Sequence, residues 1–359
     1  MTHFLRDILR QPGGLRRTLE ILSAGAGQSQ LEAAVGAIRS ARHVYLTGIG
    51  SSWHAALNAG AVFYGHGHPV YMQDAAELLQ FAEFPRDAVI VVISRSGRSV
   101  EIVQLLAKAR ASGARIVGIT NAADGTLARE AQFPMVIPVE MDHAISVNTY
   151  TTLALAAGML AGSVIGSFDA ALAGRLSNSF SDAGRAIPGW QEQLDNSAWL
   201  RAGSTTYFLA RGSSLGSALE SRLMWEEGVK TPATAMGAAS FRHGPQEIVG
   251  GKAPQRGEIG ARFGIWIDAE RMREEDLALE RDLRQLGAQV MLIGQNVPAG
   301  AGDLVFNLPA IPREWQFLID IIPAQLTAER LARLSGVDPD TFRLCSFVVE
   351  DDAGLLGSK

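Results

Sequence analysis

Short apolar runs alternate with amphipathic segments along most of the chain. Residues 88–93 carry no polar side chain, which is typical of a strand buried on both faces of a parallel sheet. Residues 100–111, rich in Leu, Ala, Lys and Arg, then show the pattern of an amphipathic helix. Because strands alternate with helices throughout, the sequence predicts an α/β fold of two mostly parallel sheets with helices on both faces. The ten predicted strands are 44–47, 70–72, 89–93, 116–119 and 135–137, then 207–210, 232–234, 264–267, 290–293 and 304–306.

These two groups of strands suggest where the domains begin and end. Glycine and proline at 12–14 and at 25–27 are expected to break the leading helices, and one long helix is expected from Trp315 to about Leu334. The predicted organisation is N-terminal helices at 1–40, a first domain at 41–166, a helical connection at 167–203, a second domain at 204–337 and a tail at 338–359.

The two domains repeat one pattern. Gly50-Ser51-Ser52 follows the first strand, and Gly212-Ser213-Ser214 follows the sixth strand in the same way. Residues 113–119 and 287–293 form a further matching pair, in which a helix stop precedes an apolar strand. Because the matches occur in the same order, chance recurrence explains them poorly, and we interpret the chain as two copies of one α/β unit.

One loop has the composition of a phosphate site. Ser94-Arg95-Ser96-Gly97-Arg98-Ser99 lies between a buried strand and a helix, where free backbone N–H groups and the helix dipole favour an anion. Glycine permits a close approach of the backbone, and serine hydroxyls donate to phosphate oxygens. The alternative is a serine-rich loop with a helix cap. The second domain has no such loop, so we expect one phosphate cradle per chain, at the carboxyl edge of the first sheet.

Composition narrows the class of protein. The chain has 359 residues and a net charge of −5, which argues against general nucleic-acid binding. The single cysteine, Cys345, rules out an internal disulfide and suits a reducing cytoplasm. Residues 1–7 lack the apolar core of a signal peptide, and no apolar run is long enough to span a membrane. We therefore expect a cytoplasmic protein without nucleic-acid or membrane partners.

Neither a metal nor a cofactor is predicted. His54, His66 and His68 lie near one another in sequence, but no cysteine or carboxylate completes a ligand set. Gly48 and Gly50 after a strand could indicate a dinucleotide fold, yet the third glycine and the acidic residue of that motif are missing.

The Gly-Ser-Ser turn, the Ser-x-Ser-Gly-x-Ser loop and the later run 241–245 (Phe-Arg-His-Gly-Pro) together resemble the tandem sugar isomerase (SIS) domain family. That family includes the isomerase half of glucosamine-6-phosphate synthase and related phosphosugar isomerases and deaminases, and the resemblance covers nearly the whole chain. It implies two tandem SIS domains, each a flavodoxin-like three-layer sandwich. It also implies a phosphorylated sugar ligand and a homodimer.

The resemblance also implies roles for individual residues. Glu227 matches the glutamate that moves a proton between two sugar carbons, and His243 matches a histidine that opens the sugar ring from the neighbouring subunit. Gly50, Ser51, Ser52 and the cradle would contact phosphate and sugar. Ser146 matches a serine of the sugar pocket, although a helix N-cap explains it equally well. For Glu227 and His243 the alternatives are a solvated glutamate and a histidine that holds a turn.

Other positions depart from the family pattern. Phe347 and Met224 stand where relatives have lysines, and Arg95 replaces a glutamine in the cradle, where it could chelate phosphate with two hydrogen bonds. Lys230 or Lys252 could substitute for the missing tail lysine.

We therefore expect a phosphosugar-binding protein. The leading hypothesis is an isomerase, deaminase or deglycase acting on a hexose 6-phosphate or amino-hexose 6-phosphate through an enediol-type proton transfer. The printed sequence has no amidotransferase domain, so no glutaminase activity is expected. The alternative is a sugar-phosphate sensor with little or no catalysis, and the sequence does not identify the sugar.

Overall fold

A computed structural model describes residues 1–200, 204–249, 260–344 and 346–351. The chain divides into two compact units. The first unit comprises Arg10–Ser177 and Thr341–Lys359, and the second comprises Met1–Leu9 and Asn178–Asp340. The C-terminal tail therefore belongs to the first unit.

Five parallel strands form the sheet of the first unit. The strands are β1 (His43–Thr47), β2 (Tyr71–Met72), β3 (Ala88–Ser94), β4 (Arg115–Thr120) and β5 (Phe133–Val136), in the order β2-β1-β3-β4-β5. All seven residues of β3 are buried, as its apolar run predicts for a central strand. The helices from the N-terminus to residue 165 are α1 (His3–Leu22), α2 (Gly25–Arg39), α3 (Ser51–Gly65), α4 (Ala75–Phe81), α5 (Val100–Ser112), α6 (Thr126–Glu130) and α7 (Asn148–Ile165).

The second unit has the same strand order. After α8 (Ala170–Asp195) come β6 (Thr206–Ala210), β7 (Ala233–Gly237), β8 (Arg262–Trp266), β9 (Gln289–Gln295) and β10 (Leu304–Leu308), all parallel and ordered β7-β6-β8-β9-β10. In each unit the first strand therefore lies between the second and the third. The helices are α9 (Leu215–Met224), α10 (Ala238–Phe241), α11 (Arg273–Gln285) and α12 (Ile321–Leu334), with a π-helical turn at Trp225–Val229 and 3₁₀ turns at Gly212–Ser214, Pro245–Ile248 and Arg313–Leu318.

The prediction of two parallel five-stranded α/β sheets is confirmed, with strand bounds shifted by a few residues. None of the helices that the structure describes combines the length and the apolar character needed to cross a membrane.

The expected break at residues 12–14 is wrong, because α1 continues through Pro12. Ile8 and Leu15 on either side of this point are fully buried, so packing of the apolar face outweighs the local cost of proline. Gly14 is required by the close packing of α1 against α7. A Cβ at this position would lie 2.0 Å from the side-chain oxygen of Asn148 at the start of α7, so only glycine permits this approach.

The single long helix expected from Trp315 to Leu334 is also wrong. A 3₁₀ turn ends at Leu318, and α12 begins only at Ile321. Ile319, between them, has φ −123°, which interrupts the helical backbone. The interruption places Asp320 inside the unit, where its carboxylate is completely buried.

Candidate functional site

The two Gly-Ser-Ser turns share an unusual backbone. Gly50 has φ +56° and Gly212 has φ +54°, a left-handed conformation that favours glycine. In the first unit this turn leads directly into α3, which begins at Ser51. In the second unit it forms a 3₁₀ turn before α9. The alignment made from the sequence therefore has a matching backbone conformation in the structure.

Internal hydrogen bonds fix the shape of the cradle between β3 and α5. The Ser94 hydroxyl oxygen accepts the N–H of Gly97 at 3.1 Å, and the Ser96 hydroxyl oxygen accepts the N–H of Arg98 at 3.2 Å. Both serines are buried. Because each serine accepts through its oxygen, its own O–H is still a donor that can be directed at an anion.

Gly97 is required by the cradle for two reasons. Its φ is +63°, and a Cβ there would lie 2.9 Å from the Cβ of Leu127 in α6. Its carbonyl oxygen accepts the N–H of Leu127 at 3.1 Å, which holds the loop against α6. A side chain at this position would strain the backbone and push the two elements apart.

Two helix N-termini at the cradle have no side-chain cap. Gly50, which precedes α3, has no side chain to cap the helix, and the Ser99 side chain before α5 makes no capping hydrogen bond. At α4 of the same unit a carboxylate fills this role. Asp74 accepts the N–H groups of Ala76 and Glu77 at the start of α4. The N-termini of α3 and α5 follow the adjacent strands β1 and β3, so their positive ends lie at the same edge of the sheet and favour an anion there.

Ser146 does not cap a helix, because Asp142 performs that function. The Asp142 carboxylate accepts the N–H groups of Val147 at 2.9 Å, Asn148 at 3.1 Å and Thr149 at 2.9 Å, which are the residue before α7 and the first two residues of the helix. The N-cap interpretation of Ser146 is therefore wrong, and its role in the sugar pocket stays a prediction. Sequence reasoning missed Asp142, since it lies several residues before the helix that it caps.

Arg95 makes contacts that the amino-acid sequence did not indicate. Its guanidinium donates to the carbonyl oxygens of Ala144 at 3.0 Å and of Phe347 at 2.7 Å. Phe347 itself lies in the tail, where its ring packs near those of Phe342 and His143, with centroids 5.7 Å and 6.4 Å away. Two positions that depart from the family pattern, Arg95 and Phe347, are thus joined by a hydrogen bond.

Strand pairing shows which residue of the second unit is equivalent to Arg95. Gly50 and Gly212 align, so Thr47 corresponds to Leu209. Thr47 pairs with Val92 on β3, and Leu209 pairs with Ile265 on β8. Residue 95 lies three positions after Val92, and residue 268 lies three positions after Ile265, each just past the end of its strand. The equivalent of Arg95 in the second unit is therefore an aspartate, Asp268.

The carboxylate of Asp268 fills the loop of the second unit. It accepts the N–H groups of Glu270 at 2.9 Å, Arg271 at 2.7 Å and Met272 at 3.3 Å, just before α11. It also pairs with Arg313, with N–O distances of 2.6 to 3.1 Å. Burial alone would raise the pKa of this carboxyl, but the Arg313 side chain and the backbone donors outweigh burial and lower it. The second loop therefore carries its own anion.

Removing this carboxylate should open the second loop to a free anion. We expect Asp268→Ala to lower the free energy of unfolding by about 2–3 kcal/mol, because Arg313 and three amides lose their acceptor. Added inorganic phosphate should then raise the melting temperature of the variant more than that of the wild type, since phosphate replaces the missing carboxylate. Thermal melts with and without phosphate test this. The exposed neighbour Glu270, replaced by alanine, is the matched control, and an equal response of all three proteins contradicts the prediction.

A second buried carboxylate lies behind the Gly-Ser-Ser turn of the same unit. Asp320 accepts the hydroxyls of Ser214 and Ser217, each at 2.6 Å, and its backbone carbonyl accepts the indole N–H of Trp266 at 3.1 Å. Burial raises the pKa of Asp320 to about 7, although the serine hydroxyls act in the opposite direction.

The candidate catalytic glutamate lies on a π-helical turn. Glu227 belongs to Trp225–Val229, which continues α9, and its side chain is half-buried. Turns of this kind often occur at functional sites. Glu226 beside it is exposed and lies 3.7 Å from Arg222, whereas Glu220 in α9 is fully buried. Glu227 thus has an environment of its own among the three glutamates.

The amine of Lys230 reaches the same turn. It donates to the backbone carbonyl of Glu227, and Lys230 has φ +59°, which ends the π-helical turn. Met224, which stands where a relative has lysine, is completely buried and belongs to the core. Lys252, the other lysine considered, lies outside the described residues.

His243 is exposed in its own unit. It follows α10, and its backbone N–H donates to the carbonyl of Ser240 at 3.1 Å. His243 and Glu227 belong to the second unit, whereas the cradle, Ser51, Ser52 and Ser146 belong to the first. Over the residues that the structure describes, no three His, Cys, Asp or Glu side chains group as a metal site.

Comparison with known proteins finds a family match within the first unit. Residues 37–161 match the model of the SIS domain. The chain is 26% identical over 352 residues to a glutamine–fructose-6-phosphate aminotransferase [isomerizing] of Pyrobaculum aerophilum. The match covers 94% of this chain and 56% of the relative, so the chain spans about half the length of the curated relatives it matches.

Solved structures share the fold over nearly the whole chain. The C-terminal domain of glucosamine-fructose-6-phosphate aminotransferase from Francisella tularensis superposes with a TM-score of 0.80 at 19% identity, covering 94% of this chain and 97% of that one. Glucosamine-6-phosphate deaminase from Thermotoga maritima gives 0.78 at 22% identity, with 97% and 99% covered.

Proposed function

From the SIS domain at residues 37–161, we propose that this chain is an enzyme acting on a hexose 6-phosphate or amino-hexose 6-phosphate. The observation that carries the proposal is the cradle. Buried serines, a left-handed glycine and two helix N-termini without side-chain caps meet at one edge of the sheet, as a phosphate site requires. The reaction is an aldose–ketose isomerisation, or a deamination or deglycation that shares its proton transfer. Relatives and structural neighbours with names of this kind support it.

Each candidate residue has a role in this reaction. Phosphate binds Ser94, Ser96 and Ser99 and the N-termini of α3 and α5, while Ser51, Ser52 and Ser146 line the sugar. Glu227 removes a proton from one of two adjacent carbons, the electron pair moves onto the carbonyl oxygen to give an enediolate, and Glu227 returns the proton to the other carbon. His243 passes a proton between the ring oxygen and the anomeric hydroxyl, so that the ring opens.

The proposal includes an assembly. We propose that the second unit is a second SIS domain, each unit being a three-layer sandwich, and that two chains form a homodimer in the cytoplasm. The exposure of His243 in its own unit supports its entry into the site of a neighbouring subunit. Lys230, whose amine reaches the turn of Glu227, is the described lysine that we assign to the reacting end.

Proton NMR in deuterium oxide tests the activity directly. The protein is incubated with the 6-phosphates of fructose, glucose, glucosamine, galactosamine and fructosamines. Deuterium uptake at carbon one or two is the expected result, and it appears even where no net product accumulates. Absence of uptake with every sugar, while the same sugars still raise the melting temperature, would replace the enzyme by a sugar-phosphate sensor.

A further inference from the structure

The tail of the first unit touches the cradle at two points. The carbonyl oxygen of Val349 accepts the N–H of Val100 at 3.0 Å, and the carbonyl oxygen of Phe347 accepts the Arg95 guanidinium at 2.7 Å. We call residues 346–351 the tail segment. Its contacts with the cradle come from backbone oxygens, whereas the Phe347 ring is 55% exposed.

Both donors in these contacts are ones that a phosphate group would use. Val100 is the first residue of α5, and its N–H is one of those that a helix leaves without an internal partner. Arg95 is a cation inside the cradle loop, and guanidinium groups bind phosphate with two parallel hydrogen bonds. A carbonyl oxygen and a phosphate oxygen are both acceptors, so each of these N–H groups can serve only one of them well at a time.

We propose that the tail segment is a built-in competitor for the phosphate cradle. In the free protein, the Phe347 and Val349 carbonyls occupy the Arg95 guanidinium and the Val100 amide, and an entering phosphate displaces them. The tail and the phosphate therefore weaken each other's binding by the same factor. This inference rests on the proposed function, because it takes the cradle as the phosphate site.

The charge of the tail acts in the same direction. Glu350, Asp351 and Asp352 follow Val349 in sequence. Negative charge near the N-terminus of a helix is favourable, and it disfavours a second anion at the same place. The experiment must therefore separate the effect of the carbonyl oxygens from the effect of these carboxylates.

Isothermal titration with inorganic phosphate and with fructose 6-phosphate tests the proposal. The full chain is compared with a variant that ends at Leu344 and lacks the tail segment. Two lost competing hydrogen bonds, one of them from a charged donor, predict about tenfold tighter binding of both ligands to the shortened chain. Equal or weaker binding by the shortened chain overturns the proposal.

Two variants identify the source of the effect. A full-length Glu350→Gln, Asp351→Asn, Asp352→Asn variant keeps the tail carbonyls and removes three charges, so it should gain much less affinity than the shortened chain. A gain equal to that of the shortened chain overturns the role of the carbonyls. In an Arg95→Gln background the tail has lost one anchor, so shortening the chain should increase the affinity by a smaller factor.

A second measurement on the full chain does not need the shortened variant to fold. Arg343 is exposed and lies just before the tail segment, so trypsin cleavage there reports release of the tail. Phosphate should accelerate this cleavage, and slower cleavage contradicts the proposal because it means that the tail closes on the ligand.

If neither the full nor the shortened chain binds phosphate in the titration, the proposed function fails together with the competitor. If both bind it equally, only the competitor fails.

Discussion

Glu227→Gln should reduce deuterium uptake into the sugar phosphate by about 10²–10⁴-fold, the usual contribution of a positioned acid–base group. Glutamine keeps the shape of glutamate but cannot accept a proton at neutral pH. Binding should be nearly unchanged, because the proposed phosphate ligands belong to the cradle and not to the π-helical turn. The measurement is the rate of uptake at carbon one or two, together with the ligand-induced shift of the melting temperature.

Glu226→Gln is the matched control for this variant. Glu226 is the preceding residue of the same π-helical turn, but it is exposed and near Arg222. Its replacement should leave uptake within about twofold of the wild type, since a surface change away from the reacting atoms alters little. If both variants lose activity equally, the turn and not the Glu227 carboxylate is what matters. If neither loses it, Glu227 is not the base.

Asp320→Asn should flatten the dependence of stability on pH. Burial raises the pKa of Asp320 to about 7 in the folded protein, against about 3.9 in the unfolded chain. Between these values the folded state holds a proton that the unfolded state has released, so the stability of the wild type falls as the pH rises from about 4 to about 7. Asparagine does not titrate, so the variant lacks this loss.

The expected size of the effect is about 4 kcal/mol in the difference between wild-type and variant free energies of unfolding, compared at pH 4 and pH 8. Denaturant unfolding at a series of pH values measures it. Asp282→Asn, an exposed residue of the same unit, is the control and should follow the wild type. A constant difference between wild type and Asp320→Asn over this range would show that Asp320 has the same protonation in both states.

The sequence predicted the sheets well because their signal is local. Runs of consecutive apolar residues mark strands buried on both faces, and Gly50 and Gly212 mark the turns that follow them. The loop 94–99 could be predicted to lie between a strand and a helix for the same reason, since the serines, Gly97 and the start of α5 are neighbours in sequence.

The acidic side chains were missed because their partners lie far away along the chain. Asp320 accepts hydroxyls from residues more than a hundred positions earlier, and Asp268 pairs with Arg313 across 45 positions. No periodicity or spacing reports such contacts. The contact of the Arg95 guanidinium with the carbonyl of Phe347, 252 positions away, was missed for the same reason. The course of α1 through Pro12 depends in the same way on packing that local propensity does not contain.

The Asp268 carboxylate determines how the loop of the second unit responds to phosphate in solution. A carboxylate tethered within its own loop is present at a fixed effective concentration that no dilution, dialysis or competing solute changes. The loop of the second unit is therefore permanently saturated, whereas the cradle of the first unit, as the proposed phosphate site, fills only in proportion to the phosphate compounds in solution. A titration with phosphate should consequently reach a stoichiometry of one per chain, even though two loops of the same topology are present.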